Sequence, residues 1–99
     1  MKQHRYRITV EHLADAKGEP STHAAPLQFE AGNHDDLFVI VERMRGRGDF
    51  DADTAASLAI GLKLFSEVML ENKAHPLFAG FKEPFAQFMQ TLKKGPARA

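Results

Sequence analysis

The chain has 99 residues, of which 43% are hydrophobic, and its 13 basic and 13 acidic residues give a formal net charge of zero. This length suits one domain with one modest core, and the missing basic excess argues against a dedicated nucleic-acid-binding protein. The absence of cysteine from the sequence excludes disulfides, thiolate metal sites and cysteine nucleophiles. It is also compatible with a cytoplasmic location.

The first predicted elements are two strands. Every second residue from Tyr6 to Val10 is apolar, and this period of two is typical of a half-buried strand, which we place over residues 4–13. A second alternation occupies residues 27–31. The segment 14–26 between them is rich in glycine, proline, serine and threonine, so it is predicted to be a loop. The two strands are expected to pair as an antiparallel hairpin.

A first helix is predicted to begin near Asn33, whose side chain can cap free backbone N–H groups. Asp35 and Asp36 would then lie in the first turn, where carboxylates suit the positive end of the helix dipole. Apolar residues follow at helical spacing over residues 37–44, and Gly46 ends the pattern. The β-branched run inside this segment also permits a strand, but the capping residues favour a helix.

The strongest helix prediction covers residues 51–72, with Asp51 as the cap. This helix is apolar around most of its circumference, so we expect it to be buried on more than one side, as a central helix or at a subunit interface. Gly61 lies in its interior, where glycine costs about 1 kcal/mol relative to alanine. We expect the close approach of another backbone to compensate for this cost.

The C-terminal segment is predicted to hold a short turn and a last helix. Pro76 stops the preceding helix, and Pro84 suits the first turn of a helix that runs to Lys94. Residues 95–99 are expected to form a disordered tail, which leaves one domain over residues 1–94. The predicted fold class is α+β, a two-stranded antiparallel hairpin packed on three helices in the order ββααα.

The chain resembles a known bacterial family in several segments. These are RGDFD at 47–51, the block AIGLKLFSEVMLEN at 59–72, HPLF at 75–78 and the opening strand YRITV at 6–10. On these residues the sequence resembles the domain of unknown function 3861 family over nearly its whole length. The resemblance implies a small α+β bacterial domain without an assigned activity, and it supplies no catalytic residues.

The spacing of carboxylates and histidines in the sequence does not indicate a metal site. Asp49, Asp51 and Asp53 are spaced like the first ligands of a calcium loop, but Thr54 stands where that loop has glycine and Ile60 where it has glutamate. The five histidines are scattered and contain no His-x3-His pair. We therefore expect no metal ion and no cofactor, and we interpret the aspartates as loop and helix-capping residues.

A short arginine–glycine patch is a candidate for anion contact. It consists of Arg43, Arg45 and Arg47, whose guanidinium groups suit phosphate or carboxylate. Arginines in the last turn of a helix also suit its negative dipole end, and the acidic residues that follow would repel a nucleic-acid backbone. Nucleic-acid binding is therefore the weaker interpretation of this patch.

The phenylalanine row of the C-terminal segment is a candidate interface. The row consists of Phe78, Phe81, Phe85 and Phe88, which are spaced by three, four and three residues. This spacing is typical of one helix face, which can be core or a surface for a partner. Together with one row of the long helix it makes up the candidate interface residues Leu58, Leu62, Phe65, Met69, Phe78, Phe81, Phe85 and Phe88.

No catalytic motif is recognisable. Ser21, Ser57 and Ser66 lack the nucleophile elbow of hydrolases, and there is neither a phosphate-binding loop nor a dinucleotide fingerprint. No feature of the sequence indicates an enzymatic function. It favours a small protein-interaction module that forms a homodimer. The alternatives are a binder of a small apolar ligand or metal ion, located between the hairpin and the phenylalanine row, and a weak nucleic-acid-binding protein. No apolar run is long enough for a membrane span, so no membrane association is expected.

Overall fold

The structure, a computed structural model, describes residues 2–95. Its elements follow the order of two strands and three helices, with a short 3₁₀ turn before the last helix. This confirms the predicted α+β class. The chain divides into two compact units with the boundary between His34 and Asp35. We call them the hairpin unit and the helical unit. The predicted disordered tail lies outside the described residues, apart from Gly95.

The hairpin unit contains strand β1, His4–Val10, and strand β2, Leu27–Asn33, paired antiparallel. The apolar positions face each other across the pair, since Ile8 lies opposite Phe29 and Val10 lies opposite Leu27. This register keeps apolar side chains together on one face, as the period of two requires. The first strand ends three residues earlier than predicted and the second extends two residues further.

The loop between the strands is organised by its own hydrogen bonds. The carboxylate of Asp15 accepts from the backbone N–H groups of Lys17 and Glu19, both at 2.9 Å. An isolated bridge joins Ala14 to Pro20 across the base of this turn. Aspartate is favoured in such turns because its short side chain satisfies nearby backbone donors.

The helical unit begins with helix α1, Leu37–Gly46. Its cap is Asp36, whose carboxylate accepts from the backbone N–H of Phe38 at 3.0 Å. The prediction that Asn33 caps this helix is wrong, because Asn33 is the fully buried last residue of β2. The helix therefore begins three residues later than expected, and neither Asp35 nor Asp36 lies in its first turn. Both residue types cap well, and only the end of the strand decides between them.

Helix α2 spans Ala52–Glu71, with Asp51 as its cap, and this confirms the predicted start. The Asp51 carboxylate accepts from the backbone N–H of Thr54 at 2.7 Å. Glu67 is a charged residue of this helix and is nevertheless buried, with only 3% of its surface exposed.

The last two elements are a 3₁₀ turn, Pro76–Phe78, and helix α3, Lys82–Lys93. Pro84 lies in the first turn of α3, where its missing N–H costs no hydrogen bond. After this helix, Gly95 has a positive φ of 85°, the backbone conformation that commonly follows a helix end and favours glycine. The predicted order of elements is thereby confirmed.

The core of the helical unit lies where α1 meets α2. Met44 packs with Ala55 and Ala59, and both alanines are completely buried. Four half-buried residues surround this cluster, namely Ile40, Val41, Leu58 and Leu92. The small alanine side chains allow the two helices to approach closely, so Met44 fills the space between them.

Gly61 does not have the neighbour that was expected. Apart from its chain neighbours and the nearby backbone of its own helix, no atom of residues 2–95 lies within 4 Å of the position that a Cβ would occupy there. The expectation of a close backbone approach to Gly61 within the chain is therefore wrong.

Helix α2 is long but not apolar enough throughout to meet the requirements of a membrane span. Nor does any other helix within residues 2–95 meet them.

Candidate functional site

Four phenylalanines from three elements of the helical unit form an aromatic cluster. Phe65 of α2 lies at its centre, and its ring contacts Phe78 of the 3₁₀ turn at a centroid distance of 6.0 Å. It also contacts Phe81 at 5.8 Å and Phe85 at 6.0 Å, at the start of α3. The planes meet at 69–73°, the edge-to-face geometry that aromatic pairs prefer.

The cluster is buried on one side and open on the other. Phe78 is 8% exposed and Phe85 is half-buried, whereas 39% of Phe65 and 41% of Phe81 remain in contact with water. The sequence could not decide whether this row is core or surface, and the structure divides it between the two.

Two further apolar residues on the helices that carry this cluster are also exposed. Val68 lies one turn beyond Phe65 on α2 and is 51% exposed, and Phe88 on α3 is 45% exposed. We call Phe65, Val68, Phe81 and Phe88 the aromatic surface.

The remaining candidate interface residues have other surroundings. Leu58 packs against the core cluster, Leu62 lines a groove between the three helices, and Met69 is half-buried in α2. All three of these residues are half-buried. The pattern of the sequence groups them with Phe65 because all four share one helical period.

The three candidate arginines have different partners. Arg45 donates to the backbone oxygen of Ala52 at 3.2 Å and to Glu42. Arg47 donates through two nitrogens to Asp49, at 2.8 and 3.2 Å, and to the backbone oxygen of Leu92 at 2.6 Å. These contacts join the end of α1 to the start of α2 and to the end of α3.

Arg43 differs from the other two. Within the described part of the chain its side chain has no hydrogen-bond or ion-pair partner. It lines a groove between the three helices of the helical unit.

Two of the aspartates with the spacing of a calcium loop accept hydrogen bonds from the chain. Asp49 accepts from Arg47, and Asp51 accepts from the backbone N–H of Thr54. The hydrogen bond from Arg47 lowers the pKa of Asp49 from its ordinary value of 3.8. The pKa of Asp51 is also lowered, first by the backbone N–H of Thr54 and then by its hydroxyl. Asp53 lies in the first turn of α2, where its charge suits the dipole. Within residues 2–95 no three histidine or carboxylate side chains form a group that could hold a metal ion.

A groove lies between the three helices of the helical unit. Its volume is about 410 Å³. Its apolar lining consists of Ile40, Met44, Leu62, Met89 and Leu92. Its charged lining consists of Arg43, Arg47, Lys63, Lys93 and Asp35. Lys63 donates to Asp35 at 2.7 Å.

Of the residues that line this groove, only Arg43, Arg47 and Leu62 are candidate residues from the sequence. The residues from α3 were missed because they meet α1 only in the folded chain. The one signal in the sequence was that Met89 and Leu92 lie on the same apolar stripe as Phe85.

Comparison with known proteins places the chain among proteins without an assigned function. Residues 4–94 match a family described as a domain of unknown function with a solved structure, DUF3861. The chain is also similar to a crystal structure of a protein of unknown function from Pectobacterium atrosepticum. The two chains are 41% identical with a TM-score of 0.80, over 94% of this chain and 99% of the other. No curated protein matches. The resemblance stated from the sequence is confirmed.

Proposed function

Because the chain belongs to DUF3861, a family of unknown function, we propose its function from the helical unit itself: a protein-interaction module that forms a homodimer through the aromatic surface. The observation that carries this proposal is the exposure of large apolar side chains around Phe65. Clusters of exposed aromatic residues are enriched at protein interfaces, because burying them gains much free energy at little cost in side-chain entropy.

A second copy of the chain is the partner that suits this surface best. An apolar surface is complementary to itself, so a two-fold axis through it buries the same residues twice. Gly61 lies on α2 one turn before Phe65 and has open space beside it, so a helix of another copy has room to approach there. We also propose that the dimer works in the cytoplasm, since its fold needs no disulfide. A fluorescent fusion expressed in the source bacterium tests the location.

The dimer can be tested with two pairs of matched variants. Val68→Glu and Phe88→Glu place a charge in the aromatic surface. The controls are Val10→Glu and Phe29→Glu in the hairpin unit, because Val10 is 51% exposed like Val68, and Phe29 is 44% exposed, close to the 45% of Phe88. Each control therefore introduces the same charge in place of the same residue type at almost the same exposure.

Sedimentation equilibrium measures the outcome. The unmodified protein should have twice the 11.0 kDa mass of one chain. Each variant of the aromatic surface should raise the dissociation constant at least tenfold, equivalent to about 1.4 kcal/mol, while the controls leave it unchanged. A monomeric unmodified protein contradicts the proposal. So does a dimer that only the hairpin controls dissociate, because its contact would then lie on the strands. Circular dichroism verifies that each variant is folded.

A further inference from the structure

The groove between the three helices combines an apolar floor with a positively charged rim. Met44 and Leu62 line it from α1 and α2, and Met89 and Leu92 line it from α3. Methionine side chains adapt to ligands of irregular shape because they are unbranched and polarizable. Pockets for small ligands have the same general composition, with mostly apolar walls and a few polar groups that fix the orientation.

The lining of this groove carries more positive than negative charge. Four cationic side chains and one carboxylate line it. Two of the cations already have carboxylate partners, since Lys63 pairs with Asp35 and Arg47 pairs with Asp49. The other two, Arg43 and Lys93, have exposed side chains without a hydrogen-bond or ion-pair partner among residues 2–95. The rim therefore holds two cations that are available to a ligand.

The helix dipoles oppose this positive charge only in part. Helices α1 and α3 both end beside the groove, and each helix C-terminus carries the equivalent of about half a negative charge. Two such ends offset about one of the two available cations. The dipole effect is also screened by solvent and limited to the last turn. The rim thus keeps a positive field, which favours an anionic group.

We propose that this groove binds a single-chain amphiphile with a carboxylate head. The guanidinium group of Arg43 suits a carboxylate because it can donate two parallel hydrogen bonds, and Lys93 adds a second charge. The apolar tail lies along Met44, Leu62 and Met89. The volume of about 410 Å³ is near the lower end of the range for small-molecule sites, roughly 300–1,000 Å³, so a short aliphatic chain fits it. This binding site is independent of the proposed dimer.

The methionines of the chain provide the test. Met44 and Met89 line the groove and Met69 does not, so protein labelled with ¹³C at the methionine methyl groups carries two reporters and an internal control. The probes are octanoate below its micellar concentration, octylammonium with the same tail and opposite charge, and acetate with the same head and no tail. Octanoate should shift the Met44 and Met89 signals in a saturable way and leave Met69 in place. Neither octylammonium nor acetate should do so.

Several outcomes overturn the proposal. Equal shifts with octylammonium would show that the head charge is not recognised, and equal shifts with acetate would show that the tail is not. A shift of the Met69 signal together with those of Met44 and Met89 would show general detergent-like binding. The absence of any saturable shift with octanoate would show that the groove binds no such ligand.

A double variant locates the head group. Arg43→Gln combined with Lys93→Gln should weaken octanoate binding at least tenfold. The matched control combines Arg7→Gln with Lys82→Gln, two exposed cations that do not line the groove, and should bind octanoate unchanged. If both double variants bind alike, the head group is not held by Arg43 and Lys93 and the proposal is wrong. The Val68→Glu variant should also bind octanoate normally, which separates this proposal from that of the dimer.

Discussion

The contact between α1 and α2 and the open side of α3 use apolar residues in opposite ways. The first contact buries small or flexible side chains, with Ala55 and Ala59 fully buried and Met44 only 5% exposed. Helix α3 contains two phenylalanines, yet none of its residues is buried. Close approach of two helix backbones, and not the size of the apolar side chains, therefore determines where the core of this unit lies.

The largest expected effect comes from the buried contact. Met44→Ala should lower the free energy of unfolding by about 2–5 kcal/mol, because it removes buried apolar volume and leaves a cavity between two helices. Phe88→Ala, although it removes more atoms, should cost only about 1 kcal/mol, because nearly half of the Phe88 side chain already contacts water. Urea unfolding of both variants measures the comparison. A greater loss for Phe88→Ala would place the core at α3 instead.

A smaller effect is expected at the start of α2. Asp51→Ala removes the carboxylate that accepts from Thr54 and should lower the melting temperature, though less than Met44→Ala does. Because folding lowers the pKa of Asp51 below its ordinary value of 3.8, the folded state favours the charged carboxylate. Its stabilising contribution is therefore complete above that value and is lost as the pH falls through the lower pKa of the folded state.

The pH dependence has a matched control. Asn caps helices about as well as Asp but does not titrate, so Asp51→Asn should keep most of the stability near neutral pH. The difference in melting temperature between the unmodified protein and Asp51→Asn should move in favour of Asn below about pH 4. Thermal melts between pH 2 and pH 7 measure it. A difference that does not change over this range would contradict the assigned role of the carboxylate.

The smallest effect is expected on the open side of α2, and in the opposite direction. Gly61→Ala should raise the free energy of unfolding by about 0.5–1 kcal/mol, since alanine favours the helix and the new methyl group meets open space. Urea unfolding measures this change, at a protein concentration low enough to exclude self-association. A loss of stability would mean that part of the chain approaches Gly61 closely, which would remove the contrast between the buried and open sides of α2.

Much of the fold could be predicted because local patterns determine it. The period of two in residues 4–10 predicted a strand whose apolar residues pair across the hairpin. The cap at Asp51 and the position of Pro84 predicted the starts of two helices. The error at Asn33 has a physical reason. A capping residue works only where the chain leaves its previous element, and here strand pairing carries Asn33 into β2, so Asp36 becomes the cap.

The candidate site could be predicted only in part. The row of phenylalanines was visible as a helical period, but periodicity does not tell which side of a ring will face water. Arg45 and Arg47 were candidates for anion contact, and the sequence did not indicate that both donate to groups of the chain, including the backbone oxygen of Leu92, 45 residues away. Contacts over such distances leave no trace in local spacing.

The fold class, the order of the elements and the family could all be predicted from local properties of the sequence, namely alternation, helical period, capping residues and characteristic segments. Packing of the folded chain is what makes two alanines and a methionine the core of the helical unit. It also leaves two of the four phenylalanines of the aromatic cluster exposed and brings cations from three helices around one groove. The physical reason is that burial and charge pairing depend on which helix faces meet, and that is determined by packing over the whole unit.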